Sequence, residues 1–282
     1  MLVDARIKQA AASCCREGEP MIESSFYVPT GEGGFRSTPA TTSPWSKDEQ
    51  HGGPVAALLA RAVEQCEPTD HKVISRVTVD FLSTVPQGEA VVSARVARRG
   101  RRVELLEADI EADGRIVAVA RAWRIDSRPE STPPIGIVKE LPSIPPAARP
   151  QDFPGLNHEW GYAKAIDWRF VTGAFDQLGA VSVWTRVAPS LVPGEEPTGL
   201  QRMMIVADSA NGLSAELEFT RWLFVPTSLA LTVHRQLEGE WMLLDAHSRI
   251  GSSGLGLSHA EIADSTGPVG MVTQSLFVAP RA

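Results

Sequence analysis

Residues 51–66 read HGGPVAALLARAVEQC, and their spacing predicts a helix. Val55, Leu58, Leu59, Ala62, Val63 and Cys66 fall on one face of a 3.6-residue repeat. The glycine pair opens the run and Pro54 falls in its first turn, where a missing N–H leaves no helix bond unmade. Next comes VISRVTVDFL, residues 73–82. There Val73, Val77, Val79 and Phe81 alternate with Ile74, Arg76, Thr78 and Asp80, the pattern of a half-buried strand. Further strands follow over residues 89–125, with turns at Arg-Gly-Arg and at Asp113-Gly114, a strong hairpin signal.

The same order returns after residue 160. AIDWRFVTG (165–173) and AVSVWTRVAP (180–189) read as two leading strands, and GLQRMMIVADSANGLS (199–214) takes the helix position. SLALTVHRQL (228–237), EWMLLDAHSRIG (240–251), GLGLSHAEIAD (254–264) and GPVGMVTQSLFVAP (267–280) supply four more strands. Laying residues 114–123 over 267–276 sets Arg121 opposite Gln274. Between the halves, residues 127–155 are rich in proline, which removes backbone donors and disfavours helix, so a semi-extended linker is expected. The division predicted is 1–126, a linker over 127–158, and 159–282. Each half is a helix among antiparallel strands. A curved sheet that must bury one face can do so against a single helix, and two such units can pair their sheets to remove an exposed edge. The fold class is therefore α+β, a double "hotdog" with two antiparallel sheets, each wrapped around a central helix.

Composition narrows the function. Of 282 residues, 43% are hydrophobic and 22% charged, as expected of a chain with an ordinary core. A formal net charge of −7 argues against a nucleic-acid binder, which needs a basic face to displace counterions. Cys14, Cys15 and Cys66 form no C-x-x-C pair and leave an odd thiol, the usage of a reducing compartment. The first twenty residues lack the apolar core of a signal peptide, and no stretch has the length of a membrane span. A cytoplasmic protein without membrane insertion is expected. The six histidines have no metal-ligand spacing, so no metal is expected. No G-x-S-x-G occurs, which disfavours a serine nucleophile, and GSSGLGL lacks the third glycine of a dinucleotide fingerprint. RRGRR, residues 98–102, could meet phosphates, although a solvated turn is the simpler reading.

Within MMIVADSANGL, Asp208 stands where another hydrophobe would be expected. A buried carboxylate must find partners or shift its pKa. Here the chain resembles the acyl-CoA thioesterase II (TesB-like) family of the hotdog superfamily, almost from end to end. HGGPVAALLARA matches the glycine-pair helix start, VADSANGL the family's Asp segment, LALTVHRQL its Thr segment and GMVTQSLFV its Gln segment. The resemblance implies a polar triad of Asp208, Thr232 and Gln274. It departs from the pattern at Val233-His234, where an aspartate-histidine pair is usual, and in the linker and the Trp-containing TTSPWSKDEQHGG.

The implied activity is hydrolysis of an acyl-CoA to a free acid and coenzyme A, without metal or cofactor. Asp208 would serve as general base, and Thr232 and Gln274 would hold the water and satisfy the buried carboxylate. His51, Gly52 and Gly53 are the expected substrate-binding residues, with backbone N–H groups at the helix start as oxyanion donors. His51 reads equally as a helix-start residue. Asn211, one turn after Asp208, could help to position it, although a cap or packing role is the simpler reading. The resemblance also implies a homodimer or larger homo-oligomer. Rival readings are a non-catalytic acyl-CoA or lipid binder and an enoyl-CoA hydratase or dehydratase, whose Asp-x-Asn-Pro-x-His signature is missing here. A covalent route with Asp208 as nucleophile is a variant of the first.

Overall fold

The computed structural model describes residues 24–127, 132–133, 135–136, 140–147, 156 and 159–281. Cys14, Cys15 and most of the proline-rich segment lie outside them. The first half contains β1 (Tyr27–Gly31), β2 (Gly34–Ser37), α1 (Gly52–Gln65), β3 (Lys72–Phe81), β4 (Glu89–Arg98), β5 (Val103–Ala112) and β6 (Arg115–Asp126). After a short α2 (Gly161–Lys164) come β7 (Ile166–Thr172), β8 (Val181–Val187), α3 (Gly199–Ala207) and α4 (Ala210–Leu213). The chain closes with β9 (Trp222–Val233), β10 (Trp241–Ile250), β11 (Leu255–Asp264) and β12 (Gly267–Pro280).

Sheet order shows the duplication directly. The strands run β1-β2-β4-β5-β6-β3 and then β9-β12-β11-β10-β8-β7, so the second half repeats the first in mirror sequence. The two expected sheets are one sheet of twelve strands, because β3 and β9 pair antiparallel from Arg76↔Thr232 to Asp80↔Ser228. That seam removes two edges that would otherwise template wrong pairing. β1 and β2 escaped the sequence reading because they are short and joined through Gly31, Glu32 and Gly33, all at positive φ. Asp113 and Gly114 form the expected tight turn, both left-handed at φ 51° and 70°.

α1 is buried along most of its length and packs on β3, β4, β5 and β6, while α3 and α4 pack on β8, β9, β10 and β11. α1 and α3 lie antiparallel in the centre. Gly53 meets Ile205 at one end, and Glu64 meets Thr198 and Gln201 at the other. Part of the linker crosses the sheet surface: Leu141 packs with Trp184, Leu243 and Ala263, and Trp184 Nε1 donates to Pro142 O at 3.0 Å.

The seam is short, and both ends splay. β9 runs from Trp222 to Thr227 against β12 alone, past the last rung shared with β3 at Ser228. One cavity opens in that gap, beside the start of α1. A second lies at the opposite end, beside the start of α3.

Candidate active site

Asp208 ends α3. The sequence suggested one helix over 199–214, but it breaks at Asp208-Ser209 and resumes as α4. Asp, Ser and Asn side chains compete for backbone groups, which weakens a helix at such a run. The break leaves the carbonyl of Ile205 for Tyr162 Oη, which donates to it at 2.8 Å, and Tyr162 Oη also bonds Ser209 Oγ at 2.6 Å.

The Asp208 side chain is 6% exposed and faces the first turn of α1. The amides of Gly52 and Gly53 oppose the rise in its pKa, and the helix dipole favours a carboxylate there. The two glycines are required by contact. A Cβ on Gly52 would lie 2.7 Å from Asp208 Oδ2, and one on Gly53 2.0 Å from Ile205 O.

Gln274 sits on the inward face of β12 and is 1% exposed. Its Nε2 donates to Asp208 O at 3.2 Å, Asp208 Oδ1 at 3.3 Å and Asn211 Oδ1 at 3.4 Å. Its Oε1 accepts from Asn211 N at 3.0 Å. Both ends of the amide are thus occupied, and Gln274 is not among the side chains that line the cavity. It holds Asp208 from behind. Asn211 completes the clamp, donating from Nδ2 to Phe224 O at 3.0 Å.

His51 caps α1, and its Nδ1 accepts from Gly53 N at 3.0 Å. The same nitrogen stands 3.4 Å from Asp208 Oδ2. Burial depresses the imidazole to a pKa of about 3, so it is neutral. With Nδ1 acting as acceptor, the ring proton is on Nε2. His51 stacks on Tyr162 with centroids 3.7 Å apart and 5° between planes, which fixes the ring.

Burial raises Asp208 to a pKa of about 7, against the lowering effect of Gln274, Gly52 and Gly53. Among the described residues no lysine or arginine pairs with it. Asp264 shows the alternative. Burial pushes that carboxyl up as well, but the Arg235 guanidinium at 2.6 Å and donors from Glu238 and Thr266 hold it well below the usual range. Unlike Asp264, Asp208 has no cation beside it among the described residues.

Thr232 requires a correction. On β9, Leu229 and Leu231 point into the core, so Thr232 points out, is exposed, and stands across from Met271 and Arg76. It does not reach Asp208. The β9 threonine that lines the cavity is Thr227, at a bulge where the β9–β12 register shifts, and its Oγ1 donates to Ser275 O at 3.2 Å. Arg121 also faces outward, paired with Glu107 at 2.9 Å, while Ala120 and Ala122 take the inward positions of β6. RRGRR lies at the far end of α1 from His51, with Arg99 on Glu67 at 2.6 Å and Lys72 Nζ on Gly100 O at 3.0 Å. A 14-residue helix is about 21 Å long, so this turn does not serve the Asp208 cavity within the same chain.

The cavity itself is about 360 Å³. Its polar edge includes His51, Gly52, Asp208, Ser209 and Asn211, with Glu49, Gln50 and several hydroxyl side chains also on the wall, and the rest is largely apolar and aromatic. The described residues contain no cluster fit to ligate a metal and no helix long and apolar enough to cross a membrane.

Profiles of the acyl-CoA thioesterase N-terminal and C-terminal domains match residues 41–125 and 140–278. The chain belongs to the acyl-CoA thioesterase family, and it is a thioester hydrolase. No curated protein matches the sequence. Similar solved structures include a conserved protein with a hotdog fold from Alicyclobacillus acidocaldarius, at 16% identity and TM-score 0.68, covering 88% of this chain and 92% of that one. The acyl-CoA thioesterase II TesB2 of Mycobacterium marinum is similar at 18% identity and TM-score 0.64, covering 91% and 95%. The tesB protein of Mycobacterium avium subspecies paratuberculosis gives 15% and 0.62, covering 90% and 96%. At these identities the likeness is one of fold, and the fold is the hotdog.

Proposed function

We propose that the chain hydrolyses an acyl-CoA to a free acid and coenzyme A, with Asp208 as general base toward a water in the cavity. The observation that carries this is a buried, cavity-facing carboxylate with a pKa of about 7 and no cation beside it. A base poised near the working pH combines adequate basicity with a substantial ionised fraction. Asp208 takes a proton from water, and the hydroxide attacks the thioester carbon. The negative charge develops on the former carbonyl oxygen, toward which His51 Nε2–H donates. Of the expected oxyanion donors, the Gly53 amide is given to His51 Nδ1. Collapse of the tetrahedral intermediate expels the thiolate, and the proton on Asp208 passes to sulfur, which is the stronger base of the two.

Gln274, Asn211, Gly52 and Gly53 act as positioning residues for the carboxylate. Thr227 contributes a side chain to the cavity wall. In the same reading, residues 1–126 and 159–282 are two hotdog units joined by 127–158, each with its part of the sheet around its own helix. Assembly into a homodimer or larger would cover the exposed Leu255 and Leu257 on the outer face of β11.

The test is thiol release from acyl-CoA substrates, followed by a single turnover in heavy-oxygen water. The expected result is release of coenzyme A, label in the acid and none in Asp208. Binding of acyl-CoA without turnover would overturn the hydrolytic reading, and label in the Asp208 side chain would replace the general base with a covalent route.

A further inference from the structure

The walls of the Asp208 cavity are unusually rich in rings. Aromatic residues make up 6% of the chain, yet Trp45, Phe81, Trp160, Trp168, Phe175, Phe219 and Phe277 all line this one space. The cavity at the other end of the seam is lined by none. The rings come from segments far apart in sequence, so helix or strand periodicity does not account for their meeting.

They form two groups. Trp45 packs on Phe219 with centroids 5.7 Å apart and edge-on to Phe224 at 5.8 Å. Phe175 is edge-on to Trp168 at 5.4 Å and to Trp160 at 6.4 Å. Trp168 Nε1 donates to Ala163 O at 3.0 Å, which pins the indole in the cavity wall. Trp45 belongs to TTSPWSKDEQHGG, one of the segments that depart from the family pattern.

An aliphatic chain gains only area from such walls, and leucine or valine would give it as much. A ring gains more, because edge-to-face and offset contacts with its quadrupole add roughly two- to tenfold in affinity per contact beyond area. A ring is also stiff, so it loses less freedom on binding than an alkyl chain of equal carbon count. The volume of about 360 Å³ is at the small end for a ligand site, which suits a compact acyl group.

We infer that the acyl group taken by this site is aromatic, an arylacyl or aroyl thioester rather than a long straight-chain one. The inference rests on the thioesterase reading above and deepens it.

The test compares phenylacetyl-CoA with octanoyl-CoA, which have equal acyl carbon counts, and with palmitoyl-CoA. Turnover is measured on the wild type and Trp168→Leu, and binding is measured by calorimetry on Asp208→Asn. The expected result is a kcat/KM for phenylacetyl-CoA about tenfold or more above that for octanoyl-CoA, with the ratio contracting in Trp168→Leu. Phe175→Leu should contract it as well, and serves if Trp168→Leu does not fold. Octanoyl-CoA or palmitoyl-CoA turned over as well as or better than phenylacetyl-CoA overturns the aromatic inference and leaves the hydrolase standing. If no thioester is hydrolysed, the hydrolase reading fails. The ratio of dissociation constants then decides the acyl preference on its own: about tenfold in favour of phenylacetyl-CoA supports it, and parity overturns it.

Discussion

At one end of the β3–β9 seam the first turn of α1 faces Asp208, and at the other the first turn of α3 faces Glu64. Both acids sit toward the C-terminal end of one central helix and against the start of the other. Burial raises both pKa values. The difference is in the surroundings of each acid. Glu64 accepts from Thr198 Oγ1 at 2.9 Å and Gln201 Nε2 at 2.7 Å, and the neighbouring charges Lys72, Glu104 and Arg124 are spent on one another. Asp208 is held by neutral amides beside a neutral imidazole and opens onto a ring-lined space. Duplication supplied two similar helix–acid junctions. What sets them apart is the space in front of each: about 360 Å³ lined by rings at Asp208, and a smaller cavity without rings at Glu64.

The sharpest way to break this comparison is to remove the negative charge at each end. Asp208→Asn should lower kcat/KM by about a hundredfold or more, in the range for losing a general base. Glu64→Gln should stay within about threefold, because its partners are structural. Thiol release on the two variants side by side reads both, and equal losses would erase the distinction.

His51→Phe keeps the stack on Tyr162 and deletes the Nε2–H donor. A loss of about a hundredfold is expected in kcat, in the range for one oxyanion donor. A variant whose KM alone changes would make His51 a substrate contact only.

Stability should move the other way. The unfolded Asp208 ionises near 3.8 and the folded one near 7. Between these values the folded state keeps a proton that the unfolded state has lost, so stability falls as pH rises through the window. Asp208→Asn escapes that cost. It should be more stable than wild type by up to about 4 kcal/mol at pH 8 and by about 1 kcal/mol at pH 4.5, measured by urea unfolding. His51, with its pKa lowered to about 3, opposes this in wild type and variant alike, so the difference isolates Asp208.

The smallest effects separate the two threonines. Thr232→Val should leave kcat/KM within about twofold, since the side chain is exposed on the outer face. Thr227→Val should cost more, because that residue lines the cavity and its hydroxyl bonds Ser275 O across the bulge.

Much of this architecture was legible in the sequence. The periodicity of residues 51–66, the Asp113-Gly114 turn and the alternation around Gln274 each depend on local rules, and each element is where those rules put it. Asp208 stood out because a carboxylate interrupts an apolar run. What escaped depends on tertiary geometry. The bulge between Ser275 and Leu276 shifts the β9–β12 register, so counting along β9 could not tell which threonine reaches the cavity. Overlaying the halves one residue out of phase placed Arg121 on the wrong face, because strand side chains alternate. Tyr162 arrives from a four-residue helix with no pattern of its own, and only the fold stacks it on His51.

The most direct test of the central claim is the pH profile of kcat/KM for acyl-CoA hydrolysis, on wild type and Asp208→Asn. The ionised carboxylate is the active form, so the wild-type rate should rise with pH and level off above an apparent pKa near 7, reporting the free enzyme. The variant should be slow and lack that step. A wild-type profile without it, or the same step persisting in Asp208→Asn, would show that another group moves the proton.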